Sequence, residues 1–277
     1  MEGALRVLGR MTLSLGILAV VMFTLFPFLV VVSTSLKTSG EVFRSPATFV
    51  PGVLAWRNYV DIFVEIPLVR HLLNTVAIAG ASTVLNIGIS APAAYAMARV
   101  RFKGKGVFGL GTLVTQMFSP VIILIPVFKV VKTLGLLDTY AALILADTAV
   151  TIPFAIWMLI GFFRSVPVEL EEAATIDGLS RVQAMVRIAL PLTMPGLITT
   201  AIYTFVTAWN EFIFALVLTP NRYMQPVTMA LYSWEKNNIV DWNYLMATSA
   251  VATAPTVLLF LLVRKRLTAG LMTGAIK

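Results

Sequence analysis

The stretch that decides the fold lies between two long apolar runs, and residues 165–191 read SVPVELEEAATIDGLSRVQAMVRIALP. Connectors between membrane spans are usually short and polar, whereas this one is long and carries apolar residues at helical spacing. Ser165 can cap a first helix, and Gly178 can take the left-handed conformation that ends it. Ser180 can cap a second helix, and Pro191 can then open the next span. The stretch therefore predicts a helix, a tight turn and a second helix.

The first of these two helices is acidic and has a thin surface. Glu169, Glu171 and Glu172 favour the positive end of its dipole. Ala173 and Ala174 leave room for another protein backbone to come close. A helix that lies among lipid headgroups would instead be rich in Lys and Arg. The composition of this helix thus favours contact with a protein groove over contact with lipid.

The rest of the sequence places this stretch in a membrane protein. The 277 residues are 58% hydrophobic and 12% charged, with a mean hydropathy of +0.89, whereas soluble domains are about 25% charged. This composition excludes a soluble enzyme, a disordered protein and a fibrous protein. The absence of cysteine excludes disulfides, thiolate metal sites and a cysteine nucleophile. The net charge of +8 is typical of basic cytoplasmic loops, and no basic cluster has the interleaved aromatic residues of a nucleic-acid site.

Six apolar runs are long enough to cross a bilayer, which takes about 20 residues each. The period-2 alternation of a membrane β-barrel is absent. We therefore expect an all-α polytopic membrane protein with a single transmembrane domain over residues 1–277. The predicted spans are 11–35, 72–98, 107–131, 141–163, 192–218 and 245–264, with the stretch 165–191 between the fourth and fifth spans and a tail 265–277 after the sixth.

The distribution of basic residues predicts the orientation of these spans. Placing both termini in the cytoplasm puts 13 of the 21 Lys and Arg residues on the cytoplasmic side. The clearest local signal is the short loop after the second span, which carries Arg99, Arg101, Lys103 and Lys105 and no acid. Both termini and the stretch 165–191 are therefore expected in the cytoplasm.

Polar residues inside the predicted spans are candidates for a solute path. The four candidates are Asp147, Thr151, Asn210 and Glu211. Charge inside a span is costly and usually faces protein or water. The side-chain oxygens of these residues suit sugar hydroxyls, and hydrogen bonding between helices explains them equally well. The sequence contains no nucleophile motif and no metal-ligand spacing, so no catalytic residue, bound metal or cofactor is expected on this chain.

The stretch 165–191 resembles the EAA loop of ABC-importer permeases at every spacing. The matching residues are Glu172, Ala173, Ala174, Gly178, Ile188, Leu190 and Pro191. Further matches run along nearly the whole chain, including Ala94–Arg99, Trp209–Phe212 and Gly270–Lys277. The chain is similar to the carbohydrate, or maltose-type, branch of these permeases, and specifically to the shorter six-span subunit of the permease pair.

This resemblance implies a transport subunit without enzymatic activity, located in the plasma (inner) membrane of a bacterium or archaeon. The EAA loop, with Asp177 beside the alanines, would be a coupling helix that contacts a dimer of ABC ATPase subunits carrying ATP and Mg. Gly270, Thr273, Gly274 and Lys277 would form a second ATPase contact. The other implied partners are a second permease subunit, an external or periplasmic solute-binding protein, a sugar (a di- or oligosaccharide) and the surrounding lipid.

Two other functions stay open at this point. Permeases for glycerol-phosphate or another non-sugar solute belong to the same branch, although no Lys or Arg lies in the middle of a predicted span. An ion-coupled secondary transporter would use Asp147 and Glu211 as a proton relay and would suit discontinuous helices. The EAA spacing disfavours this second alternative.

Overall fold

The computed structural model describes residues 2–236 and 239–274, with side chains described over 11–235 and 239–262. These residues are mainly α-helical, as the apolar runs predict. In chain order the helices are α1 (Glu2–Ser35), α2 (Ser39–Val42), α3 (Arg57–Glu65), α4 (Leu68–Arg99), α5 (Lys105–Thr115), α6 (Pro120–Thr133), α7 (Tyr140–Ser165), α8 (Val168–Ile176), α9 (Arg181–Leu192), α10 (Met194–Trp209), α11 (Ile213–Leu218), α12 (Val227–Tyr232) and α13 (Trp242–Gly274). α9 contains a π-helical turn at Met185–Ala189. Before α13, a short antiparallel ribbon pairs β1 (Glu235–Lys236) with β2 (Ile239–Val240).

Four of the described helices are long and apolar enough to cross a membrane. They are α1 from Met11, α4, α7 and α13 as far as Leu262. The third predicted span is divided into α5 and α6, which are bent by 106° at their junction, and the fifth predicted span begins at a 78° bend between α9 and α10. Counting each bent pair as one span gives six, so the number of spans stays a prediction.

Proline explains the break inside the third predicted span. Ser119 has extended backbone (φ −63°, ψ 140°) because the ring of Pro120 disfavours a helical residue before it. Pro120 then takes the first turn of α6, where its missing N–H is harmless. The fifth predicted span is interrupted at Asn210–Phe212, between α10 and α11. Irregular backbone at membrane depth is tolerated only where protein covers it or a cavity adjoins it.

Contacts within the chain define two units, residues up to Leu68 with Leu231–Pro255, and Val69–Ala230 with the residues from Thr256 onward. In the first unit, Asn58 of α3 is buried and donates 2.8 Å hydrogen bonds to the carbonyls of Ser35 and Lys37. Asn243 of α13 donates to the side-chain oxygen of Asn58 at 3.3 Å. These bonds tie α3 to the end of α1 and to the start of α13.

In the second unit, α7 is the central helix. Its buried side chains pack in one apolar cluster with α4, α6, α11 and α12, and in another with α4 and α9. The fully buried Asn86 of α4 donates a 2.8 Å hydrogen bond to the hydroxyl of Thr151 in α7. α10 approaches α7 so closely that Gly196, against the ring of Phe162, has no room for a Cβ. This packing fixes both the middle of α7 and its junction with α8.

Candidate functional site

The stretch 165–191 forms the helix, turn and helix that its sequence predicts. α8 ends at Ile176, and Gly178 follows with φ +91°. Ser180 caps α9, because its hydroxyl accepts the N–H of Gln183 at 3.3 Å. The side-chain oxygen of Gln183 accepts the N–H of Ser180 at 2.8 Å in return. This capping box closes the turn between the two helices.

Two predicted boundaries of this stretch are wrong. Ser165 is the last residue of α7 rather than a cap of α8, and its hydroxyl donates to the carbonyl of Phe162 at 2.7 Å. Val166, the residue before Pro167, is extended. As a result α8 starts at Val168, two positions later than a cap at Ser165 predicts. Pro191 lies exposed in the last turn of α9, and the next helix starts at Met194.

Glu171 anchors α8 to the end of α4. It is 6% exposed, and its carboxylate accepts hydrogen bonds from the Tyr95 hydroxyl at 2.6 Å and from Arg99 Nε at 2.8 Å. Arg99 also donates through Nη2 to the carbonyl of Val166 at 2.6 Å. We call Tyr95, Arg99 and Glu171 the α8 clamp. The sequence analysis did not predict that these three residues interact. Tyr95 and Arg99 are four residues apart and therefore share one face of α4.

Part of α8 and the turn that follows it are exposed. We call their exposed residues Glu172, Ala173, Ile176, Asp177 and Gly178 the α8 surface. Ile176, an apolar residue, is 86% exposed. A groove of about 440 Å³ lies beside this surface, with walls from α4, α8 and α9.

The remaining predicted coupling residues differ in exposure. Ala174 is buried on the inner side of α8. Ile188 and Leu190 are half-buried in α9, and Pro191 is exposed. The stretch therefore places an exposed mixture of acidic, small and apolar side chains next to residues that hold it in position.

The structure brings the four predicted path residues together around one cavity of about 400 Å³. Asp147 and Thr151 come from α7, and Asn210 and Glu211 come from the break between α10 and α11. Pro120, at the break between α5 and α6, also lines this cavity. Two interruptions of the helices thus meet at the same place, which we call the Asp147 cavity.

Two of these residues have structural partners. The carboxylate of Glu211 accepts the backbone N–H groups of Phe214 at 2.7 Å and Ala215 at 3.0 Å, and so caps α11. The hydroxyl of Thr151 accepts a hydrogen bond from Asn86, and Thr151 is 1% exposed. Thr151 therefore forms a hydrogen bond between helices, which is one of the two roles considered for it from the sequence. Its partner, Asn86, was not identified from the sequence.

The other two residues are less constrained. Asn210 is exposed, and its Nδ2 donates to the carbonyl of Val206 at 2.7 Å within its own chain segment. Asp147 is 4% exposed, and its carboxylate has no hydrogen-bond partner among the described residues. The backbone carbonyl of Asp147 accepts a hydrogen bond from the Thr151 hydroxyl at 2.7 Å.

The predicted C-terminal contact lies largely beyond what the structure describes. Gly270, Thr273 and Gly274 belong to the last turns of α13, where side chains are not described, and Lys277 lies outside the described residues. Within the described part of the chain, no group of three or more His, Asp or Glu side chains is placed to hold a metal ion.

Comparison with known proteins gives this arrangement a family. Residues 87–271 match the family of binding-protein-dependent transport system inner membrane components. The chain is 35% identical to the inner membrane ABC transporter permease protein YcjP of Escherichia coli, with 98% of each chain covered. It is also 35% identical, with 98% of each chain covered, to the trehalose/maltose transport system permease protein MalG of Thermococcus litoralis.

A solved structure has the same fold. It is a bacterial ABC transporter involved in the import of the acidic polysaccharide alginate, and the match has a TM-score of 0.79 at 23% identity. The match covers 94% of this chain and 96% of the other. The family match includes both α8 and the Asp147 cavity. The chain belongs to the binding-protein-dependent transport system inner membrane components, and it is a multi-pass ABC transporter permease, a transport subunit rather than an enzyme.

Proposed function

We propose that this chain is one of two permease subunits in an ATP-driven importer for a di- or oligosaccharide. The observation that carries the proposal is the α8 surface, an exposed acidic and apolar helix face held rigidly to α4 by a buried ion pair. The trehalose/maltose relative supports a sugar as the solute. The single transmembrane domain over residues 1–277, with six spans, belongs to the same proposal.

In this proposal the α8 surface contacts a partner ATPase subunit. Exposed Ile176 offers an apolar anchor, Ala173 lets the partner backbone approach, and Glu172 and Asp177 can pair with basic groups. ATP and Mg bind to the partner ATPases, and this chain contributes no residue to the nucleotide. Ile188, Leu190 and Pro191 extend the contact along α9, and Gly270, Thr273, Gly274 and Lys277 add the second one.

Movement of α8 reaches the membrane through the α8 clamp. Arg99 lies at the end of a 32-residue helix, and its guanidinium holds both Glu171 and the backbone between α7 and α8. A displacement of α8 is therefore passed to α4 and α7 together. Closure of the ATPases on ATP would tilt these helices and switch the solute pathway between its inward-open and outward-open forms.

The basic residues support the orientation. Arg101, Lys103 and Lys105 follow directly after α4, on the same end of that helix as the clamp. Basic loops stay in the cytoplasm, so α8, its partner ATPases and both chain termini lie on the cytoplasmic side. The solute-binding protein and the second permease complete the importer, the former from the external or periplasmic side.

A mild-detergent pull-down of the tagged chain with mass spectrometry tests the proposal. We expect an ABC ATPase and a second permease to co-purify. Glu172→Lys, on the α8 surface, should reduce ATPase recovery and uncouple transport while protein levels stay normal. The matched control is Arg57→Glu in α3, because the side chain of Arg57 is 88% exposed and far from α8 in sequence. Recovery of the wild-type chain alone, even after cross-linking at α8, would contradict the proposal.

A further inference from the structure

The Asp147 cavity has a composition that bears on the solute. Its walls include two carboxylic acids, Asp147 and Glu211, together with the neutral polar side chains of Thr207 and Asn210. None of the described residues that line it is Lys, Arg or His. Its volume of about 400 Å³ falls in the range of small-molecule sites. The cavity therefore offers hydrogen-bond acceptors and two acidic side chains to a small polar guest.

Asp147 is the residue that points to a ligand. It is as buried as a core residue, at 4% exposed, yet its carboxylate has no partner among the described residues. Its side chain lines the cavity, and an ionisable residue in a span marks a functional site by default. Leu143 and Ala146, its neighbours on α7, are buried in an apolar cluster. The carboxyl group is thus free to accept hydrogen bonds from a solute in the cavity.

Glu211 adds a second acid whose position is fixed. Both of its carboxylate oxygens accept backbone N–H groups at the start of α11, at 2.7 and 3.0 Å. The same residue accepts a 2.6 Å hydrogen bond from the hydroxyl of Thr228 through its backbone carbonyl. These bonds prevent Glu211 from turning away from the cavity wall. An acidic solute would meet two carboxyl groups with no basic residue nearby to offset them.

We propose that the Asp147 cavity is a solute subsite that accepts saccharides without acidic groups and excludes uronate, sulfonate and phosphate solutes. Asp147 is its specificity-determining residue, since it accepts hydrogen bonds from solute hydroxyl groups. This inference rests on the proposed transport function, because it assigns the cavity to the solute pathway. It also separates this chain from a permease for glycerol-phosphate, which would need basic groups in the same place.

Charged thiol reagents test the selectivity directly, because the chain contains no cysteine. Thr207 lines the cavity, is exposed, and donates only to the carbonyl of Tyr203 at 2.8 Å. Thr207→Cys in the detergent-purified importer would be treated with a cationic and an anionic methanethiosulfonate of nearly equal size. Peptide mass spectrometry of this chain alone measures the rate at which each reagent modifies the cysteine. The rates of both reagents with a small free thiol correct for their difference in intrinsic reactivity.

We expect the cationic reagent to react about tenfold faster than the anionic one, a preference within the range that one nearby unit charge produces. Adding Asp147→Asn should reduce this preference at least threefold, and Asp147→Ala serves if the amide variant is poorly produced. Equal rates at Thr207→Cys, or a preference unchanged by both substitutions, would overturn the inference. The proposed function fails by a different result, the absence of an ATPase from the purified complex, whatever the reagent rates.

Discussion

The protein buries two carboxyl groups to nearly the same extent, and their surroundings are opposite. Glu171 on α8 is 6% exposed and accepts hydrogen bonds from Tyr95 and Arg99. Asp147 on α7 is 4% exposed, and its carboxylate has no partner among the described residues. Equal burial therefore does not mean an equal role. The first acid holds one element of the protein against another, whereas the second faces a cavity.

This difference separates a mechanical region from a binding region. In the α8 clamp every charge is paired, so removing one partner leaves another buried charge unsatisfied. In the Asp147 cavity the acid contributes no bond to the fold, so its removal leaves nothing unsatisfied. The two regions should consequently respond in opposite ways to the same chemical change, an acid replaced by its amide.

The largest effect is expected from Glu171→Gln. It leaves the guanidinium of Arg99, whose side chain is 14% exposed, without its counter-charge. We expect a loss of about 3 kcal/mol of stability, measured by thermal unfolding of the detergent-purified protein. Glu169→Gln, an exposed position on the same helix, is the matched control and should change stability by less than about 0.5 kcal/mol. Equal stability of the two variants would show that the α8 clamp does not stabilise the fold.

A smaller loss is expected from Gly178→Ala in the turn after α8. With φ at +91°, any side chain is strained there although no atom lies within 4 Å of the added Cβ. The expected cost is about 1.5 kcal/mol, with a matching decrease in the protection of α8 amides measured by hydrogen exchange. Gly178→Asn is the control and should cost less, because Asn tolerates the left-handed conformation. An Ala variant with unchanged α8 protection would show that the turn does not hold α8.

Loss of the α9 cap should have a still smaller effect. Ser180→Ala removes the hydroxyl that accepts the Gln183 N–H and should cost about 1 kcal/mol. Ser180→Asn keeps a cap and should retain most of the stability. Equilibrium unfolding of both variants measures the difference. Equal losses in the two variants would mean that the capping box is not what stabilises the turn.

The smallest effect is expected from Asp147→Asn. Because the carboxylate has no partner, the amide should change stability by less than about 0.5 kcal/mol, and toward higher stability. The same thermal assay used for Glu171→Gln measures it. A loss above about 2 kcal/mol would show that Asp147 supports the fold, and the contrast between the two acids would disappear.

The sequence predicted the features that depend on neighbouring residues. Gly178 adopts the left-handed conformation after α8, and Ser180 caps α9 through Gln183, three residues later. Both features were predicted from the sequence. The apolar runs likewise predicted the long helices. Ser165 was misjudged because the constraint comes from the proline two residues later. Helix boundaries of this kind can be predicted when the cap residue and the neighbouring proline are considered together.

Features that depend on distant residues were harder to predict. The clamp joins Arg99 to Glu171 across 72 positions, and Asn86 meets Thr151 across 65. Nothing near either residue signals its partner. The four path residues were chosen as polar groups in apolar runs, and the structure places all of them at one cavity. The capping role of Glu211 was missed because the break before α11 has no sequence signal of its own.

Coupling requires that α8 contact an ATPase, and site-specific cross-linking tests this contact directly. Ala173→Cys places a unique thiol on the α8 surface of a cysteine-free chain. Thr133→Cys, exposed at the end of α6, is the matched control. We predict that a short bifunctional reagent links residue 173 to an ATPase subunit and leaves residue 133 unlinked. Failure of residue 173 to cross-link, although a soluble thiol reagent labels both positions, would show that α8 is not the contact with an ATPase.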